Sequence, residues 1–153
     1  MRQINSADSF SLRPATLADA STIRHIISQV RINPLALDWH RFMLAIDPYG
    51  QVIGCGQVKP HSDGSIELAS IAVLPEWRNH GIARRIIEYL LEQHPGRIYL
   101  TCQSQLGPMY RKFGFQVLQT AELTPYFKRL NRIVTWIEKL TRQPRRMLVM
   151  RRG

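Results

Sequence analysis

The chain has 153 residues, 44% of them hydrophobic, which is enough to bury a core and argues against wholesale disorder. Its 21 basic and 11 acidic side chains leave a net charge of +10, which favours anionic partners such as nucleotides, phosphates and acidic surfaces without choosing among them. No apolar run approaches the roughly 20 residues that cross a bilayer, and the opening MRQINSADSF lacks the apolar segment of a secretory signal, so a cytoplasmic location is expected.

Residues 10–13 read as a first strand ended by Pro14. Thr16 can cap a helix that begins at Leu17, with Asp19 well placed in its first turn. Leu17, Ala20, Ile23, Ile26, Ile27 and Val30 recur at helical spacing. RINPLALDW, broken by Pro34, reads as a second short helical turn. Strands follow at residues 40–46 and 51–59 around the turn DPYG, then at residues 66–74 after the turn HSDG, which makes an antiparallel meander.

After Pro75 the period changes. Ile82, Ala83, Ile86, Ile87, Leu90 and Leu91 line one face of a helix that ends near HPG. Residues 97–103 are again strand-like, and a strand–helix–strand order predicts a right-handed crossover with parallel pairing. GPMYRKFGF reads as a short helix stopped by Gly114, and FQVLQ as a strand. Thr124 and Pro125 open an amphipathic helix to about Thr141, and RRMLVMRR closes the chain as a strand. With no repeat or linker, the expectation is a single α+β domain over residues 1–153. Its mixed sheet has six to seven strands flanked by helices, and an extra C-terminal helix precedes the last strand.

The stretch EWRNHGIARR stands between the third meander strand and the next helix. A helix start carries unpaired N–H groups and partial positive charge, and a glycine lets a bulky anion approach. Arg78-x-x-Gly81-x-Ala83 therefore builds an anion cradle, with Arg84 and Arg85 nearby. It has neither the GK[ST] of a Walker A loop nor the GxGxxG of a dinucleotide fold. On the local sequence alone, an ordinary strand-to-helix connection reads equally well.

In its context, IAVLPEWRNHGIARRIIEYLL resembles motif A of the GNAT N-acetyltransferase superfamily: a strand ending in Val-x-Pro, then Arg/Gln-x-x-Gly-x-Gly/Ala, then an amphipathic helix. GPMYRKFGF resembles the family's second landmark, a helical Tyr followed by Gly-Phe and a strand. The likeness covers residues 10–151 and is strongest over 67–115. Asn33, Pro34 and Leu35 match an NPL segment of compact bacterial and plastid-type members.

The resemblance implies a GNAT fold and transfer of acetyl from acetyl-CoA, a cosubstrate, to a primary amine in a ternary complex. It implies that backbone amides of Asn79, His80, Gly81, Ile82 and Ala83 hold the pyrophosphate, with Arg78 assisting and Arg84 near the phosphates. Ile71, Ala72 and Val73 would bond the pantetheine arm as an added strand does, and the Val73 N–H would face the oxyanion. Ala83 departs from the second glycine, which matters only where positive φ is required. Tyr110 matches the general acid that protonates the departing thiolate, against a packed aromatic. Glu67 matches a base acting directly or through water, against a salt-bridged strand residue.

The remaining candidates point away from the chemistry. His25, His40, His61, His80 and His94 show no mutual pattern, so no metal is expected. Cys55 and Cys102 read as reduced core thiols, Cys102 in preference to an acetylated intermediate, and Trp39 and Trp77 as packing.

The acceptor is less defined. The helix over residues 125–141 reads as an insertion whose apolar stripe docks on its own sheet, walls the acceptor cleft, forms a homodimer contact or touches an anionic membrane. From Thr120 to Gly153 nine basic and two acidic side chains leave a local charge of +7. Arg142, Arg145, Arg146, Arg151 and Arg152 could attract acidic peptides, while nucleic acid is disfavoured for want of aromatic interleaving. SADS, LADA and LALDW offer few acids for a polyamine cleft, which favours a protein lysine or N-terminal amine. A non-catalytic acetyl-CoA sensor and a basic binding module are the alternatives.

Overall fold

The computed structural model describes residues 10–144 and 146–153; the expectations placed on residues 1–9 and on Arg145 lie outside the described residues. The strands are β1 (Ser11–Pro14), β2 (Phe42–Ile46), β3 (Val52–Pro60), β4 (Ile66–Val73), β5 (Ile98–Gln103), β6 (Gln116–Val117) and β7 (Met147–Arg152). The helices are α1 (Ala20–Val30), α2 (Ile82–Gln93), α3 (Gly107–Arg111) and α4 (Pro125–Thr141). Seven strands in the order β1-β2-β3-β4-β5-β7-β6 make the expected mixed sheet, and α4 stands before the last strand as read from Thr124-Pro125. The chain divides into two compact units: one takes the chain up to Val58 with Leu68–Gln93, the other Lys59–Glu67 with His94–Gly153.

In the first unit β2 pairs antiparallel with β1 and with β3. The DPYG turn closes as expected, because Asp47 Oδ1 accepts from the N–H groups of Tyr49 and Gln51 at 2.9 Å. Ile23, Ile26 and Ile27 of α1 are buried, as are Ile82, Ile86, Ile87, Leu90 and Leu91 of α2. Two glycines of β3 allow a close approach. A Cβ at Gly56 would stand 2.6 Å from Ile71 Cδ1 and 2.7 Å from Ile86 Cγ2, and one at Gly54 would stand 3.0 Å from Ile82 Cγ2.

The helix expected from Leu17 begins as a 3₁₀ turn over Leu17–Asp19. Asp19 reaches back to accept from the Thr16 N–H at 2.7 Å, and its two oxygens meet Arg13 at 2.8 and 2.9 Å. Arg13, then Thr16, holds this buried carboxyl well below the usual carboxylate range. A depressed folded pKa contributes stability that is full above the unfolded value of about 3.9 and is lost as pH falls toward the folded one. Asp19→Asn is therefore expected to lower stability at neutral pH and to flatten its fall below about pH 4. Denaturant melts across pH, with parallel curves for the two proteins, would refute the role.

The short helical turn expected in RINPLALDW is absent. Residues 31–38 run without helix, and a 3₁₀ turn appears only at Trp39–Arg41. Pro34 supplies no N–H, the Asn33 side chain takes the Leu35 N–H at 3.0 Å, and Ala36 holds φ at 57°. The second strand accordingly starts at Phe42 rather than His40.

In the second unit β7 pairs antiparallel with β5 and β6, and Glu67 pairs in parallel with Tyr99. α4 lies in the chain between the paired strands β6 and β7, as an insertion would. Its start docks on its own unit: Phe127 is fully buried with Tyr99, Leu123 and Val149, and Tyr126 and Leu130 pack against that cluster. The Asp63 carboxylate accepts from the Tyr126 N–H at 2.9 Å. Burial would raise the Asp63 pKa, but hydrogen bonds from Ser65 and Tyr126 outweigh it and hold the carboxyl below the usual range.

Candidate active site

The turn ahead of α2 alternates in hand. Asn79 holds φ at 66° and Gly81 at 77°, with His80 between them outside the left-handed region. Residues of alternating hand curl successive N–H groups into a concavity. A Cβ added at Gly81 would meet nothing within 4 Å, so the space beside the loop is open and glycine is needed there for its φ alone. The His80 ring nitrogen Nδ1 lies 2.8 Å from the Arg78 carbonyl oxygen and 3.1 Å from that of Trp77, and so ties the turn together. Both oxygens are acceptors, which makes Nδ1 the donor. Ala83 lies inside α2 with no positive φ, so the missing second glycine costs the turn nothing. The guanidinium of Arg84 is partly engaged, donating to Glu88 at 2.9 Å.

β4 carries Ile71, Ala72 and Val73 just past an irregularity. Ser70, in mid-strand, has φ 57°, a left-handed conformation that costs a non-glycine residue about 1–3 kcal/mol. A left-handed residue inside a strand turns the backbone out of its extended course at that point. Gln57, fully buried, holds the kink by donating to Ser70 Oγ at 2.8 Å and to the Ala36 carbonyl at 3.2 Å.

In the second unit Glu67 is buried and held on both oxygens. Oε2 lies 2.6 Å from His61 Nε2 and 3.8 Å from Lys59 Nζ, and Oε1 accepts from Thr101 Oγ1 at 3.3 Å. A carboxylate only accepts, so His61 Nε2 carries the proton and Nδ1 is the acceptor of the neutral ring. The ring is stacked on Tyr126 at 3.5 Å and meets Phe127 edge-on at 5.8 Å. Burial, then the Glu67 and Asp63 charges, push the Tyr126 phenol up. Sequence reasoning named Glu67 but not the groups around it, His61, Lys59, Thr101 and Tyr126. The usable signal was the HSDG turn: it closes from His61 to Ser65 at 2.9 Å, which sets His61 beside the start of β4.

Tyr110 on α3 is buried, and burial, then the neighbouring Cys102, push its phenol up to about 12. Phe115 meets its ring edge-on at 6.1 Å. Gly114, φ 88°, ends this element as expected, and the Tyr110 carbonyl accepts from the Phe113 and Phe115 N–H groups. A Cβ at Gly107 would stand 2.9 Å from Leu148 Cδ1, so the Leu148 side chain would have to shift to admit it.

The other candidates behave as core or surface groups. Cys55 and Cys102 are free and buried, and burial pushes both thiols up, Cys55 to about 12, as packed thiols should be. Trp39 stacks on His40 at 3.5 Å, and Trp77 lies 5.7 Å from His80. A cleft lined by Thr22, His25, Gln29, Gln51 and Glu76 contains none of the residues assigned above. Among the described residues no His, Cys, Asp and Glu side chains gather into a metal-binding group, and no helix is long and apolar enough to cross a membrane.

Comparison with known proteins bears on the same residues. A family model described as an acetyltransferase (GNAT) domain matches residues 38–117. An uncharacterized N-acetyltransferase of Chlorobaculum tepidum is 36% identical over 85 residues, 50% of this chain and 55% of that one, so the chain spans about half the length of the curated relative it matches. N-acetylglutamate synthase from Neisseria gonorrhoeae, solved with coenzyme A and N-acetyl-glutamate, superposes with a TM-score of 0.72 at 19% identity over 94% of this chain and 34% of that one. Arabidopsis thaliana Naa50, solved with the bisubstrate analogue CoA-Ac-MVNAL, superposes with a TM-score of 0.63 at 16% identity over 95% and 99% of the two chains.

Proposed function

Since the chain belongs to the GNAT acetyltransferase family, we propose that it works as one acetyltransferase domain, moving acetyl from acetyl-CoA to a primary amine. A protein lysine or N-terminal amine is the preferred acceptor over a small amine. The observation that carries this reading is the turn at Asn79 and Gly81, with its two left-handed residues, open flank and following helix start. That turn suits a diphosphate held by main-chain donors. The coenzyme A in the synthase structure and the CoA part of the Naa50 analogue support the choice of donor, while the acceptor parts differ, N-acetyl-glutamate in one and a peptide in the other.

In the proposed mechanism Asn79, His80, Gly81, Ile82 and Ala83 receive the pyrophosphate on their amides, and Arg78 and Arg84 add charge. The strand beyond the Ser70 kink, Ile71, Ala72 and Val73, offers main-chain groups to the pantetheine arm. The amine nitrogen attacks the thioester carbonyl, the oxyanion meets the Val73 N–H, the C–S bond breaks beside the Tyr110 hydroxyl, and coenzyme A leaves as a thiol with the proton that the attacking nitrogen sheds. An ammonium has no lone pair, and lysine holds its proton to about pH 10.4, so a base must act first. Both Glu67 oxygens are occupied, and we assign the base to the Glu67–His61 pair. The neutral imidazole takes the proton and the carboxylate stabilises the resulting imidazolium. Glu67→Gln should then lower kcat and lower the pH at which the activity reaches half its plateau, because an imidazolium without its carboxylate gives up its proton more readily. An unshifted pH profile would remove the pair from the mechanism.

The function itself is tested with free-thiol release from acetyl-CoA, offering peptides with free N-termini, lysine peptides and small amines. Turnover with a peptide amine, and a raised melting temperature with acetyl-CoA alone, are expected. A thermal shift without turnover on any amine would make the protein a sensor. Neither response, with salt-sensitive binding to acidic polymers, would make it a basic binding module.

A further inference from the structure

α4 divides along its length. Its first two turns pack through Tyr126, Phe127 and Leu130, but the apolar stripe then continues where none of the described residues covers it. Ile133, Trp136 and Leu140 are 49%, 63% and 64% exposed. Steps of three and four put them on one face of the helix. Arg129 stands four residues before Ile133, Arg132 four before Trp136 and Lys139 three after it, all exposed and on or beside that face. Glu138, the acid of this helix, is two residues from both Trp136 and Leu140, a spacing that turns it away from them.

We propose that this face of α4 seats on an anionic lipid bilayer. Ile133, Trp136 and Leu140 enter the headgroup–acyl boundary, and Arg129, Arg132 and Lys139 meet the negative headgroups. A basic helix with an apolar stripe is the form that lies in such an interface, and tryptophan favours that depth. The long arginine and lysine stems can cover apolar surface while their charges stay in the headgroup layer. A second copy fits poorly. A two-fold contact would set the same cations against themselves, and three side chains offer far less than the roughly 800 Å² per partner of a stable interface. The inference is independent of the acetyl-transfer reading.

The test is sedimentation of the whole protein with phosphatidylcholine vesicles, with and without phosphatidylglycerol. Binding is expected only with phosphatidylglycerol and should weaken with added salt. Trp136→Ser/Leu140→Ser changes exposed positions outside the catalytic assignment. It should keep the wild-type melting temperature and thiol-release activity yet bind anionic vesicles about tenfold less. Arg129→Glu/Arg132→Glu should do the same, and keeps the proposal testable if the first variant folds poorly. The proposal fails if wild type does not sediment with anionic vesicles, if both variants bind as wild type does, or if the protein binds polyglutamate but no vesicles. It also fails if Trp136→Ser/Leu140→Ser halves the solution mass while leaving vesicle binding unchanged, because a second copy then covers the face.

Discussion

Tyr110→Phe is expected to lower kcat about 100-fold, the low end of general acid catalysis, while acetyl-CoA binds as before. The ring is buried and the substitution keeps its shape, so folding should be untouched. Burial fixes the size of the effect. It pushes the phenol up to about 12, which keeps the proton in place at any working pH. The same burial makes the group a weak acid beside a leaving thiolate whose own pKa is about 8.5, taking free cysteine as the guide. On the proposed mechanism Tyr110 would therefore donate a hydrogen bond to sulfur as the C–S bond lengthens. Stopped-flow thiol release together with calorimetric acetyl-CoA binding separates the two quantities. Equal, small losses in both would reduce Tyr110 to a packed aromatic.

Phe127→Ala should cost about 3–5 kcal/mol, the range for removing a buried aromatic ring. Phe127 is fully buried, lies 5.1 Å from the Tyr99 ring centroid and supports the edge of His61. Its loss should free the start of α4 and leave the imidazole without one wall, so activity should fall even where the variant remains folded. Urea melts measure the first effect and thiol release at low temperature the second. A cost below about 1 kcal/mol would mean that α4 is not docked through this ring.

Much of this was readable from the chain because local signals agreed with one another. Thr124-Pro125 and a stripe at helical spacing gave α4 its observed bounds, Pro125–Thr141. The same stripe could not reveal its division, because Phe127 and Trp136 carry equal weight in a periodicity while one is buried and the other mostly exposed. Residues 31–38 misled for a related reason. A short helical turn was expected there, but Pro34 offers no N–H and the Asn33 side chain takes the Leu35 N–H, which removes the backbone bonds a helix needs. The hydrogen bond from the Tyr126 N–H to Asp63 spans 63 positions, and no local pattern encodes it. The pairing of His61 with Glu67 was hidden differently: five histidines compared with one another reveal nothing when the partner is a carboxylate across a turn.

The bare glycines of β3 have a kinetic consequence. With Ile86 and Ile82 seated where Gly56 and Gly54 have no side chain, α2 rests against main chain. It cannot slide without meeting that wall, and the loop that begins it inherits the same fixity. If the turn at Asn79 and Gly81 takes the diphosphate as proposed, the anion would find its docking place ready-made, with no ordering step to slow capture. Association should rise linearly with ligand concentration, as a single encounter does, without the plateau that a rearranging loop imposes.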